Sequence, residues 1–206
     1  RIRIRSLLAV TRSRSEAATA ERAALLAAPT AFTRHHAASH TILVPQMAPL
    51  HFPLLVEALE GEGHQVRLLP EVSARAVDLG QAYVNNDACY PAIVAIGQLL
   101  EALCDGHCDP ARTALLFSQT CGPCRASNYP GMLRKALREC GFPQVPVLRL
   151  SSSGANNQPG FRPSRALLGR MVLGMLGGDM LQRLSLFTGT HERHKGDTED
   201  RTQAWL

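Results

Sequence analysis

The stretch TILVPQMAPLHFPLLVEALEGEGHQVRLLP, running from Thr41 to Pro70, decides the fold. Thr41-Ile42-Leu43-Val44 is a short apolar, β-branched run closed by Pro45, the composition of a buried strand. Leu54, Leu55, Ala58 and Leu59 then recur at the spacing of one helix face, and Gly61 and Gly63 supply the stop. His64 to Pro70 carries a second strand pattern. Strand, helix and strand at this spacing form a βαβ unit, and the crossover makes the two strands parallel.

Downstream the same alternation continues. A short helix is expected over Ser73–Leu79, and Asn85-Asn86-Asp87 is a turn signal. Cys89-Tyr90-Pro91 opens a helix over Ala92–Leu103, with the proline in the first turn, where a missing N–H costs little. Thr113–Ser118 reads as the third strand, and the helical pattern from Tyr129 to Cys140 stops at Gly141. Val145–Leu150 reads as the fourth strand, placed by Pro146 at a sheet edge or at its own start. A polar loop, Ser151–Asn157, precedes a long helix over about residues 163–186. Leu167, Leu168, Met171, Val172, Met175 and Leu176 form a broad stripe on that helix, expected as core.

The order predicts an α/β fold: an open, doubly wound, mostly parallel sheet of about four strands with helices on both faces. Ligands of such sheets gather beyond the carboxyl ends of the strands. Four segments meet on that edge: Gln46–His51, Asn86–Pro91, Gln119–Asn128 and Ser151–Asn157. His51, near a helix start, reads as a capping residue.

The length, 206 residues, suits one domain. Residues 40–187 carry the alternating pattern, residues 1–39 read as a linker or disordered tail, and residues 188–206 as a polar tail or linker. A first residue other than Met points to a processed chain or a piece of a longer one. The net charge of +5 belongs to the tail: residues 1–40 hold seven arginines against Glu16 and Glu21, and the remainder holds fifteen basic against fifteen acidic side chains. The expected domain thus lacks the clustered basic and aromatic footprint of a nucleic-acid partner. No run of about 18 apolar residues occurs, so no membrane span is expected.

Six cysteines remain to be explained. Cys121 and Cys124 form a C-x-x-C on a strand-to-helix turn, and Cys89 precedes a helix start; both environments favour the thiolate. With no recognisable secretory signal, the pattern reads as metal or redox chemistry in the cytoplasm. Three chemistries fit. Cys89, Cys121 and Cys124 converging from two loops would hold an iron–sulfur cluster. Cys121 and Cys124 alone would make a thioredoxin-like dithiol oxidoreductase. Cys104, Cys108, Cys121 and Cys124, spaced C-x3-C-x12-C-x2-C, would make a zinc-stabilised interaction module, at the cost of pulling an apolar strand from the sheet.

Several motifs in order narrow the choice: Pro45-Gln46-Met47-Ala48-Pro49-Leu50-His51-Phe52, Tyr83-Val84-Asn85-Asn86-Asp87-Ala88-Cys89-Tyr90-Pro91, Ile96-Gly97-Gln98, Gln119-Thr120, Cys124-Arg125-Ala126-Ser127-Asn128-Tyr129 and Gln144-Val145-Pro146-Val147. With these, residues 41–186 resemble the activase-related proteins of the 2-hydroxyacyl-CoA dehydratase system. The resemblance implies a cytoplasmic α/β scaffold carrying a 4Fe-4S or related iron–sulfur cluster. It further implies low-potential electron transfer driven by an ATP-hydrolysing activator domain, on the same or a separate chain, and an acyl-CoA substrate. An oligomer is compatible with it. By resemblance Cys89 and Cys124 are metal ligands; Cys121, where many relatives have glycine, is the third candidate. Pro91, Arg125 and the turns at Asn86 and Asn128 would shape the ligand loops.

Overall fold

A computed structural model describes residues 30–85, 88–119, 124–151 and 158–206. Its sheet has four parallel strands: β1 (Thr41–Val44), β2 (Gln65–Leu68), β3 (Thr113–Gln119) and β4 (Val147–Ser151), in the order β2-β1-β3-β4. The order reverses between β1 and β3, where Thr41, Ile42 and Leu43 face Thr113, Ala114 and Leu115. The chain is an α/β protein of the open, doubly wound kind. β4 is an edge strand, and Pro146 stands just before it, where the missing N–H breaks no ladder bond.

Strand alternation sends neighbouring side chains into two separate cores. Leu43, Leu115, Phe117 and Val147 pack against α3 (Ala74–Tyr83), α4 (Tyr90–Cys104) and α5 (Tyr129–Glu139). Ile42, Val44, Ala114, Leu116 and Leu148 pack on the opposite face against α1 (Arg34–Ser39), α2 (Phe52–Glu60) and α6 (Arg165–Gly189). The β1-α2-β2 crossover therefore lies on one face and the crossovers into β3 and β4 on the other. α3 and α4 approach closely because both carry glycine at the crossing. A methyl on Gly97 would meet the Ala76 carbonyl oxygen, and one on Gly80 would meet that of Ile93. The Ile96-Gly97-Gln98 motif is thus a packing element: Ile96 is buried, Gly97 admits α3, and Gln98 donates from Nε2 to the Pro70 carbonyl at 3.1 Å.

Three segments differ from the sequence reading. Ordered structure begins upstream of β1, within residues expected as tail. Phe32 is fully buried, its N–H donates to Gln158 Oε1 at 2.7 Å, and Thr33 caps α1. The stripe on α6 is not all core: Leu167 and Met171 are buried, whereas Leu168, Val172, Met175 and Leu176 are exposed. α2 covers one side of α6, and these four side chains enter neither core among the described residues. Residues 188–206, expected as a polar tail or linker, hold the end of α6 and a further helix, α7 (Asp197–Trp205), with three acidic residues in its first turn. No helix among the described residues is long and apolar enough to cross a membrane.

Candidate metal centre

The carboxyl edge of β3 and the amino ends of α4 and α5 meet at one place, beside the reversal of strand order. Cys89 is the N-cap residue of α4, with extended backbone (φ −67°, ψ 147°), and its carbonyl accepts from the N–H groups of Ala92 and Ile93. Its side chain takes no part in capping. Instead Cys89 Sγ lies 2.8 Å from the hydroxyl of Tyr129, the first residue of α5. Tyr129 is buried and stands edge-on to Phe117 of β3, ring centroids 5.4 Å apart. An aromatic ring is thereby locked against the central strand, with its one polar atom aimed at the thiol.

Cys124 is the N-cap of a single 3-10 turn, Arg125–Asn128, that feeds directly into α5. Its carbonyl accepts from Ser127 N and Ser127 Oγ at 3.1 and 2.8 Å, and Gln119 Nε2 at the end of β3 donates to the Ser127 carbonyl at 2.7 Å. The loop is thus tied back to the strand that it leaves. The Cys124 side chain is exposed. Burial, the hydrogen bond with Cys89 and the charges of both Cys89 and Cys124 push the Tyr129 phenol up to about 12. One phenol therefore senses both sulfurs.

Cys121 and Asn86 lie outside the described residues, as does the loop of residues 152–157. Asn128 is the N-cap position of α5 without a side-chain capping bond, and Gly131 leaves the space that its amide occupies. Gln46, the first polar residue after β1, keeps a buried Oε1 with no hydrogen-bond partner among the described residues. His51 stands at the N-cap position of α2 but does not cap it. Its buried ring lies against Gly178 of α6 and its Nε2 is 3.0 Å from Asp179 Oδ1, so its role is to join α2 to α6 rather than to close a helix end.

The other cysteines are elsewhere. Cys104 ends α4, about 22 Å along the helix axis from Cys89. It shares a hydrogen bond with Cys140, whose thiol burial pushes up to about 11. Cys108 precedes β3 and receives a long contact, 3.7 Å, from Arg67 Nη1. All of β3, roughly 23 Å of extended chain, separates Cys108 from Cys124. Zinc–sulfur bonds of about 2.3 Å cannot span that gap, so Cys104, Cys108 and Cys124 do not form one site. Among the described residues no three potential metal-ligating side chains are grouped.

Cys89 and Cys124, each at the start of a helical turn, are the two described cysteines at this edge of the sheet, and the Tyr129 hydroxyl lies against the first of them. Sequence reasoning singled out Cys89 and Cys124 but not the Tyr129 hydroxyl that lies against Cys89. Its signal was a hydroxyl-bearing aromatic immediately before Pro130, at the start of the helix that follows the loop. No protein-family model, curated protein or solved structure matches this chain.

Proposed function

We propose that this chain is an iron–sulfur domain of a 2-hydroxyacyl-CoA dehydratase-like or activase-related protein, acting in the cytoplasm beside an ATP-hydrolysing partner domain. One observation carries the reading: Cys89 Sγ lies 2.8 Å from the buried Tyr129 hydroxyl at the carboxyl edge of the sheet, and Cys124, from a different loop, caps the turn that leads into Tyr129. Such a cluster supplies one strongly reducing electron, here for an acyl-CoA substrate. The chain's own contribution is positional. Cys89 and Cys124 would be ligands, with Cys121 as the third candidate, and the N–H groups that open α4 favour the thiolate of Cys89. With Cys89 ligating as a thiolate, the Tyr129 hydroxyl, 2.8 Å away, would be the donor of their hydrogen bond. A hydrogen bond to a ligating sulfur withdraws electron density and raises the potential of the site. Phe117 fixes the ring so that this bond cannot swing away.

Anaerobic purification with iron, zinc and acid-labile sulfide analysis tests the reading. About four irons and matching sulfide per chain are expected, reduced severely by Cys89→Ser or Cys124→Ser and unchanged by Cys104→Ser. One zinc without sulfide overturns it. So does a metal-free chain with a reversible Cys121–Cys124 disulfide, the outcome that belongs to a thioredoxin-like dithiol enzyme.

A further inference from the structure

Arginines gather where α5 packs on the edge strand. Arg134 and Arg138 stand one turn apart on α5, on the flank beside its buried residues Leu133 and Leu137. Arg149 of β4 lies two residues beyond Val147, which packs against α5, so strand alternation turns it to the same face of the sheet. All three are half-buried.

As they stand, these charges work against one another. Burial first, and then the guanidiniums of Arg149 and Arg138, depress the pKa of Arg134. Arg134 Nε is buried with no hydrogen-bond partner among the described residues. The one carboxylate of α5, Glu139, is 3.9 Å from Lys135 Nζ. A surface arginine normally lays its stem on apolar residues and keeps its fork in water or on a carboxylate. The last-turn position of Arg138 suits the helix dipole, but Arg134 is mid-helix and gains nothing there. Like charges drawn together at a cost in stability, one of them partly desolvated, mark a place built for an anion.

We propose that Arg134, Arg138 and Arg149 bind the phosphate groups of a small-molecule ligand. A guanidinium meets phosphate oxygens two at a time, and three of them match the several negative charges of a diphosphate. Arg149 pairs in register with Phe117, so it lies one strand, about 4.8 Å, outside the ring that backs Tyr129. β4 is the edge strand, so no further strand covers the cluster among the described residues. None of the three is a candidate metal ligand, and the site stands apart from the iron–sulfur reading.

Calorimetric titration of the full 206-residue chain, reduced, metal-free and at low ionic strength, tests the proposal with sodium pyrophosphate, coenzyme A and pantetheine. Pyrophosphate should bind, and pantetheine, which has no phosphate, should not. Binding of coenzyme A supports the site and identifies the acyl-CoA of the proposed function as the source of the phosphates. Binding of pyrophosphate without coenzyme A supports the site and counts against that substrate. Arg134→Met keeps the apolar stem, removes the charge and should weaken pyrophosphate binding by about tenfold or more. Arg138→Met and Arg149→Met should weaken it in the same direction. Lys135→Met, an equal change of charge turned about 100° away on α5, should leave it unchanged. Without ligand, Arg134→Met should raise the urea midpoint, because it relieves an uncompensated buried charge. A wild type that binds no pyrophosphate overturns the proposal. Equal weakening by Lys135→Met also overturns it, since that is the behaviour of diffuse net charge. So does a lower midpoint for Arg134→Met, which would mean that the chain itself holds the guanidinium.

Discussion

The substitution Gly97→Ala adds one methyl group where α3 and α4 cross. That methyl would overlap the Ala76 carbonyl oxygen and sit 2.8 Å from the Ala76 carbonyl carbon and 3.1 Å from the Gly80 nitrogen. All three obstacles are backbone, so no side chain can rotate aside, and the helices must separate. Separation loosens Ile96, Leu99 and Leu100, which are fully buried. Overpacking of this kind costs about 3 kcal/mol, and alanine in place of a helical glycine returns about 1 kcal/mol, leaving a net loss of about 2 kcal/mol. With a slope of about 2 kcal/mol/M, the urea midpoint falls by about 1 M. Gly177→Ala is the control: its methyl would stand 3.6 Å from Leu54 Cδ1, an ordinary contact, so the helix-propensity gain of up to about 1 kcal/mol should appear undiminished. Urea unfolding of the reduced, metal-free chain, followed by circular dichroism, measures both. A Gly97→Ala midpoint equal to or above the wild type would refute the close α3–α4 crossing. The same crossing seats α4, whose first turn carries Cys89 about 12 Å from Gly97, so an outward shift of the helix also stretches the 2.8 Å contact with Tyr129.

Two further outcomes are expected of the reduced, metal-free chain. The Tyr129 phenol, raised mainly by burial and then by Cys89, should be the last tyrosine to ionise, near pH 12. Because its folded value lies above the ordinary value of about 10, the stability it lends is complete below that pH and is lost as pH rises toward 12. Ultraviolet titration should lose its latest phase in Tyr129→Phe, and superimposable curves would contradict the burial and hydrogen bond of Tyr129. Phe32→Ala should cost about 3–5 kcal/mol in denaturant unfolding, because a fully buried ring leaves a cavity between α1, α6 and the sheet. A loss under about 1 kcal/mol would mean that residues near Phe32 are not part of the folded core.

The legible parts of this chain are those in which local chemistry alone determines the outcome. Ile42, Val44, Ala114 and Leu116 announce strands because the sheet is buried on both faces, and Gly63 and Gly141 announce helix ends because both take left-handed backbone, at φ 88° and 86°. Cys89 was legible for the same reason: a cysteine one residue before Tyr90-Pro91 can only stand at the mouth of a helix. What escaped was fixed by pairing across the fold. Phe32 looks like an isolated aromatic in an arginine-rich tail until Gln158, 126 residues later, accepts from its N–H. His51 looks like a cap until Gly178 and Asp179 arrive from α6. Tyr129 looks like the first residue of a helix until Cys89, 40 residues upstream, comes within 2.8 Å. The stripe on α6 misled for a related reason. Periodicity reports that a face is apolar, not what covers it, and α6 has apolar residues around more of its circumference than α2 can bury. The excess therefore cannot be assigned to the core that the described residues form.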